Sequence, residues 1–205
     1  MPLHRRPLTF LVPLFVLALL VPSVVRADET PIANGVFLLA KPDMADPNFR
    51  DTVVLITEPE VGGGPIGVII NRPAGVRLSE AVPELGEVPE KFDQIFGGGP
   101  VEGNRILYLV RTDEPPKHGL RVLDDVYLSG DRELLQKIVR GETTVTAFRA
   151  FAGYAGWAPD QLQTEIAREG WFVIKADADT IFAKDPEKVW PRLMHRIKRV
   201  MALAN

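Results

Sequence analysis

The chain has 205 residues, 46% of them hydrophobic and 25% charged, with a formal net charge of −3 and no cysteine. That length suits one compact domain, and the composition excludes a disordered chain. The missing cysteines exclude disulfides, thiol catalysis and thiolate-bound zinc, and the acidic balance argues against a general binder of nucleic acid or anionic surfaces.

The first residues read MPLHRRPLTFLVPLFVLALLVPSVVRADE. Arg5 and Arg6 precede an apolar run from Leu8 to Val21, and Val25 and Ala27 have the small-residue spacing of a signal-peptidase site. The pattern predicts a leader over residues 1–27, cleaved after Ala27, and an exported domain over residues 28–205, periplasmic or secreted. The alternative is an N-terminal membrane anchor. The run extended to Val25 is only marginally long enough to span, Pro13 and Pro22 interrupt it, and no charged stop-transfer cluster follows. Cleavage would leave no stable membrane span and would remove Arg5, Arg6 and Arg26, taking the formal charge to −6.

Gly35–Ala40 (GVFLLA) and Thr52–Thr57 (TVVLIT) read as buried strands, separated by the Pro/Asp-rich loop KPDMADPNF. Gly67–Asn71 (GVIIN) is the next strand, ended by Pro73, and Leu78–Leu85 reads as a short helix cut by Pro83. Ile95 and Phe96 lead into Gly97-Gly98-Gly99-Pro100, and Ile106–Val110 is a clear strand. Leu120–Leu123 and Val126–Leu128 pair around Asp124-Asp125. Asp131 is expected to cap a helix that buries Leu134, Leu135, Ile138 and Val139 and stops at Gly141. Thr143–Ala152 is a strand.

The stretch GYAGWAPDQL, from Gly153 to Leu162, then reads as a strand-to-helix corner. Pro159 is placed in the first helical turn, with Asp160 and Glu165 near its positive end. Gly170 ends that helix, Trp171–Lys175 is a last strand, and Asp185-Pro186 opens a helical region that Pro191 divides. Without repeat or linker, this is a single α+β domain.

No catalytic motif emerges. The runs at Gly62–Gly64 and Gly97–Gly99 lack the lysine of a phosphate loop and the spacing of a dinucleotide fingerprint, so no cofactor is expected. Tight turns account for the first. The second ends a strand, where bare backbone N–H groups can approach an anion or carbonyl. Arg72 offers a planar fork to a carboxylate or phosphate, or to an acidic neighbour. Ser79 and Ser129 lie in no nucleophile elbow, and His118 and His195 are far apart. Asp43, Asp46, Asp124 and Asp125 have no metal-loop pattern around them, so no metal is expected. The cations Lys188, Arg192, Arg196, Lys198 and Arg199 are attributed to a helix C-terminus, where the dipole favours them. Tyr154 and Trp157 read first as core anchors and second as the lining of a site at a helix N-terminus.

The blocks FLLAKPDMADPNFRDTVVLI, GPIGVIINRP, FGGGPV, YLSGDRELLQKIVRGE, GYAGWAPDQLQTE and WFVIKADADTIF occur in that order from about Gly35 to Val200. Together they resemble the YqgE/AlgH family of bacterial proteins. The resemblance implies a closed or flattened β-barrel with a branching sheet and helices on its outside. It implies no settled activity, only the label of transcriptional regulator. Members often carry a histidine where this chain has Val110. An exported protein cannot meet a promoter, and no helix-turn-helix is visible, so nucleic acid is not an expected partner.

Three readings follow. The first is a binding or accessory protein for a small molecule or protein partner, using Asn71, Arg72, Gly98, Gly99, Pro100, Tyr154 and Trp157. The second is an enzyme at the same place, with Arg72 as electrophilic clamp and Asp43 or Asp46 as base. The third is the regulator of the family label. The poverty of nucleophiles and bases favours the first.

Overall fold

The computed structural model describes residues 34–58 and 63–204; the expected leader lies outside them. Strands β1 (Val36–Ala40), β2 (Val53–Glu58) and β3 (Ile66–Ile69) form an antiparallel meander. They read as unbroken apolar runs because both faces are covered. Phe37, Leu39, Val53, Leu55, Val68 and Ile70 enter one cluster, and Val36, Leu38, Ala40, Val54, Ile56 and Ile69 enter another.

Pro73 does not merely end β3. It opens β4 (Pro73–Arg77), a mostly exposed strand paired with β5 (Gln94–Gly97). A proline is tolerated there because the first residue of an edge strand can do without an N–H donor. Between them lie α1 (Leu78–Ala81) and a 3₁₀ turn at Pro83–Leu85, the break that Pro83 predicts. Asp93 ties this excursion down: its buried carboxylate accepts from Ser79 N at 2.7 Å, Ser79 Oγ at 3.0 Å and Arg77 Nε at 2.8 Å. Burial raises the Asp93 pKa, but the Ser79 hydrogen bonds and the Arg77 charge together outweigh it and hold the carboxyl below its ordinary value.

Strand β6 (Val101–Arg111) extends beyond the expected Ile106–Val110, with Glu102 at φ +47° and a register shift marking a bulge. β7 (Leu120–Arg121) and β8 (Val126–Ser129) form the expected pair. In α2 (Arg132–Val139), Asp131 Oδ1 caps Glu133 N at 2.8 Å and Leu134 N at 3.3 Å, and Gly141 follows at φ +72°. Leu135, Ile138 and Val139 are buried, whereas Leu134 is only half-buried. The Tyr108 hydroxyl donates to Asp131 O at 2.7 Å. Its phenol is pushed up to about 12, by burial first, with the Asp131 charge adding and the Ser129 hydrogen bond opposing.

The expected strand 143–152 runs later, as β9 (Ala147–Gly156), so the GYAG residues are strand rather than corner. β9 is where the sheet branches. Residues 147–152 and Tyr154 pair with β6, Ala150–Ala152 run parallel to β5, and Ala155 and Gly156 pair with β3. The kink falls at Gly153, φ +72°, opposite the register shift in β6. Beyond it come α3 (Gln161–Ala167), β10 (Trp171–Lys175), α4 (Ala178–Ile181) and α5 (Val189–Ala204). β10 closes on β1, and the main sheet runs β10-β1-β2-β3-β9-β6-β8-β7. This curled, branching sheet with helices outside it is the α+β architecture expected.

Three expectations about helix ends are corrected. Pro159 precedes α3, and Asp160 stands at its start with φ +60° and no side-chain cap bond. Glu169 at φ +62° makes the exit turn credited to Gly170, whose N–H donates to Glu165 O at 2.9 Å. Pro191 does not divide α5, because it sits in the first turn, where no intrahelical partner for its nitrogen is missed. α4, capped by Asp177 Oδ1 on Thr180 N at 2.8 Å, is too short to show a period in sequence.

Arg149 crosses the core from β9. It donates to Ile70 O at 2.9 Å and Ala183 O at 2.8 Å and lies 4.2 Å from the Phe96 ring centre. Burial lowers its pKa to about 10, which leaves it charged at neutral pH.

Candidate functional site

The β1–β2 loop carries Asp46-Pro47-Asn48-Phe49, with Asp46 Oδ1 accepting from Asn48 N at 2.8 Å and Asp46 O from Phe49 N at 3.0 Å. This places the Phe49 ring inside the protein, stacked 5.8 Å from Trp157 and edge-on 5.4 Å from Trp171. The two indoles stand 6.2 Å apart at 79°. Their N–H groups share one acceptor: Glu165 Oε2, at 3.0 Å from Trp157 Nε1 and 2.9 Å from Trp171 Nε1. Gln161 Nε2 donates to the other oxygen at 2.9 Å. Glu165 is thus a carboxylate satisfied by three neutral donors, one α3 turn inward of where a dipole argument would leave it.

Asn71 and Arg72 hold the same loop from the opposite side. Asn71 Oδ1 accepts from Val53 N at 2.8 Å, and its Nδ2 donates to Asp51 O at 2.9 Å. Arg72 Nη1 donates to Asn48 O at 2.7 Å and Nη2 to Arg50 O at 3.4 Å. Its fork grips main-chain carbonyls, and among the described residues no carboxylate pairs with it.

Gly98 and Gly99 belong to a different junction. Gly98 N donates to Ala152 O at 2.9 Å, and Gly98 O accepts from Ile69 N at 2.8 Å. A Cβ on Gly98 would lie 2.2 Å from Gly153 O, and one on Gly99 2.2 Å from the Tyr154 carbonyl. The close approach these glycines permit is made by the β9 backbone at the branch point. Pro100 is exposed. Tyr154 packs against the Phe37–Phe151 cluster and donates to Glu102 Oε1 at 3.4 Å, whereas Trp157 lies in the Phe49–Trp171 cluster. Three residues apart along β9 and its extension, the two aromatics occupy opposite faces. Of the candidate residues, Asn71, Arg72 and Trp157 therefore converge on the β1–β2 loop, and Gly98, Gly99 and Tyr154 on the branch.

A cavity of about 290 Å³ opens against the loop, lined by Asp43, Met44, Asp46, Phe49, Arg168 and Trp171, with Glu165 and Glu169 also on its wall. No serine, threonine, histidine or lysine lines it. Four carboxylates and one guanidinium, Arg168, surround an aromatic and thioether floor, a net negative lining suited to a cationic group with an apolar stem. Among the described residues no group of three or more potential metal ligands is gathered. Sequence reasoning missed Phe49, Glu165 and Trp171 as members of one constellation. Phe49 read as loop, Glu165 as a dipole charge and Trp171 as a strand residue, and only the fold brings them together.

A single α+β domain whose curled sheet branches on one glycine-kinked strand, with a β1–β2 loop clamped between an Asn-Arg pair and a tryptophan pair, defines the class of protein. The chain belongs to the AlgH-like family, which matches residues 37–202. It is 40% identical over 150 residues to a UPF0301 protein of Marinomonas sp. (strain MWYL1), covering 71% of this chain and 79% of that one. It is 33% identical over 176 residues to a UPF0301 protein of Thermobifida fusca, covering 80% and 86%. The solution structure of AlgH from Pseudomonas aeruginosa is similar, with a TM-score of 0.67 and 30% identity over 85% of this chain and 93% of that one. So is a crystal structure of a Corynebacterium diphtheriae protein, with a TM-score of 0.69 and 26% identity over 83% and 90%.

Proposed function

We propose that this protein is an exported, non-enzymatic binding or accessory protein that recognises an alkylammonium group in the cavity beside Phe49 and Trp171. The observation that carries this reading is the net negative cavity wall: Asp43, Asp46, Glu165 and Glu169 outnumber the one guanidinium, Arg168, around Met44, Phe49 and Trp171, with Glu169 also paired to Lys41 at 3.7 Å and no serine, threonine, histidine or lysine on the wall. Asn71, Arg72 and Trp157 act as positioning residues that fix the loop. An enzymatic alternative built on Arg72 is weakened because both terminal nitrogens of its fork are engaged by Asn48 and Arg50 carbonyls.

The test is an NMR titration with n-butylammonium, followed on the indole N–H signals of Trp157 and Trp171 and the amides of Met44–Phe49. Shifts confined to these signals and lost in Asp43→Asn/Asp46→Asn support the site. Shifts of equal size across the surface overturn it. Export is tested by fractionation of the native host. A chain starting at Asp28 outside the cytosol is expected, and a chain with Met1 intact in the cytosol overturns it.

A further inference from the structure

Helix α5 separates charge in a way that its packing does not require. Its sixteen residues, VWPRLMHRIKRVMALA, include four Lys or Arg, one His and no acidic residue. The first half is anchored: Val189, Leu193 and Met194 are buried, and Trp190 Nε1 donates to Ala40 O at 2.8 Å. The second half outruns the body. The inward stripe of buried Val189 and Leu193 and half-buried Ile197 continues by helical spacing to Val200 and Met201, yet these are 61% and 53% exposed, and Leu203 is 85% exposed.

Beside this apolar end, Arg192, Arg196 and Arg199 share one flank with His195 and Leu203, lining a groove of about 420 Å³. None of Arg192, Arg196, Lys198 and Arg199 forms an ion pair among the described residues. The helix dipole does not account for them either. The helix continues to Ala204 and its last turn holds no basic residue, so the cations lie beyond the dipole's short reach.

We propose that α5 is a peripheral docking helix for an anionic lipid surface, with Val200 and Leu203, which line the same groove as the arginines, entering the headgroup boundary and Arg192, Arg196 and Arg199 facing lipid phosphates. Charge complementarity selects this occupant. A second copy docked about a twofold axis would bring two sets of cations together. Nucleic acid would match the arginines but give the exposed Val200 and Leu203 nothing to enter. The acidic balance of the whole chain does not oppose the contact, because screening confines each charge to about 10 Å at ordinary ionic strength. The docking is independent of the alkylammonium site.

The experiment is flotation of the full chain with neutral phosphatidylcholine vesicles and with vesicles containing phosphatidylglycerol. It is run on wild type, Arg192→Glu/Arg196→Glu/Arg199→Glu and Leu203→Asp, each checked for an unchanged circular-dichroism melt. The N-terminal apolar run is common to all three, so the readout is the preference for anionic over neutral vesicles. The wild type should prefer anionic vesicles by about tenfold or more, and the arginine variant should lose most of that. Leu203→Asp should bind more weakly, and high salt should erase the difference. An equal preference in wild type and arginine variant overturns the proposal. So does duplex-DNA retention without vesicle preference, or a dimer that Leu203→Asp dissociates.

Discussion

Trp157 and Trp171 meet edge to face at 6.2 Å and donate to the same carboxylate oxygen. Both are nearly buried, at 4% and 3% exposure, so if that oxygen is removed the indole N–H groups keep no protein acceptor and reach water only through the neighbouring cavity. Glu165→Ala should cost about 2–4 kcal/mol, two unsatisfied donors at about 1–3 each less partial relaxation. Glu165→Gln keeps one acceptor oxygen and should cost less than half as much. Urea unfolding of the two variants checks the ordering.

The clamp of Asn71 and Arg72 separates global from local stability. Asn71 is 8% exposed and both ends of its amide are bonded, so Asn71→Ala should cost about 1–3 kcal/mol in global unfolding. Arg72→Lys should cost under about 1 kcal/mol globally, since its site is half open. It cannot bridge Asn48 and Arg50, so amide exchange at Phe49 and Thr52 should accelerate with little change elsewhere.

The branch point predicts a contrast among glycines. Gly99 combines φ +154° with a Cβ position 2.2 Å from the Tyr154 carbonyl, whereas a Cβ on Gly103 meets nothing within 4 Å. Gly99→Ala should cost about 3 kcal/mol or prevent folding, and Gly103→Ala should stay within about 0.5 kcal/mol of wild type. Thermal melts distinguish them.

Stability should fall at both ends of the pH scale for identifiable reasons. Asp93 has a lowered carboxyl pKa, so its contribution is complete above the unfolded value and lost as pH drops through the folded one, below about pH 4. Tyr108 has a phenol raised to about 12, so its contribution is complete below the unfolded value and is lost as pH rises from about 10 toward 12. Asp93→Asn should flatten the acid limb and Tyr108→Phe the alkaline limb, each leaving the other unchanged, as read by unfolding free energy against pH.

Much of the fold is legible in the residues. Runs such as Val36–Ala40 and Val53–Thr57 are apolar on both faces, which only a doubly covered strand requires, and the Asp131 cap with Gly141 brackets α2 by local chemistry alone. The misreadings are equally local. Pro73 and Pro191 read as breakers in the sequence because their effect depends on whether the lost N–H has a partner, and that is set by position in an element, not by residue type. Gly153 reads as a corner because glycine is the residue that turns a chain most freely; here it kinks a strand that goes on pairing with β6 at Tyr154. The constellation around Phe49 draws on residues more than 120 positions apart, beyond any spacing rule. The Gly98-Gly99 run was read as open to a ligand because a sequence shows where side chains are missing but not which backbone fills the space.

β9 is made late. It needs residues 147–156, and β3, β5 and β6, made up to about 90 residues earlier, all pair with it. Until then each holds a row of backbone donors and acceptors with no native neighbour on that side. A partly synthesised chain therefore cannot close its sheet from the front, and the domain commits to structure only when most of it exists. That order leaves the nascent domain without a closed sheet until residue 147 and those after it are made. It also makes any truncation before Gly156 a molecule of open strand edges, prone to joining other chains.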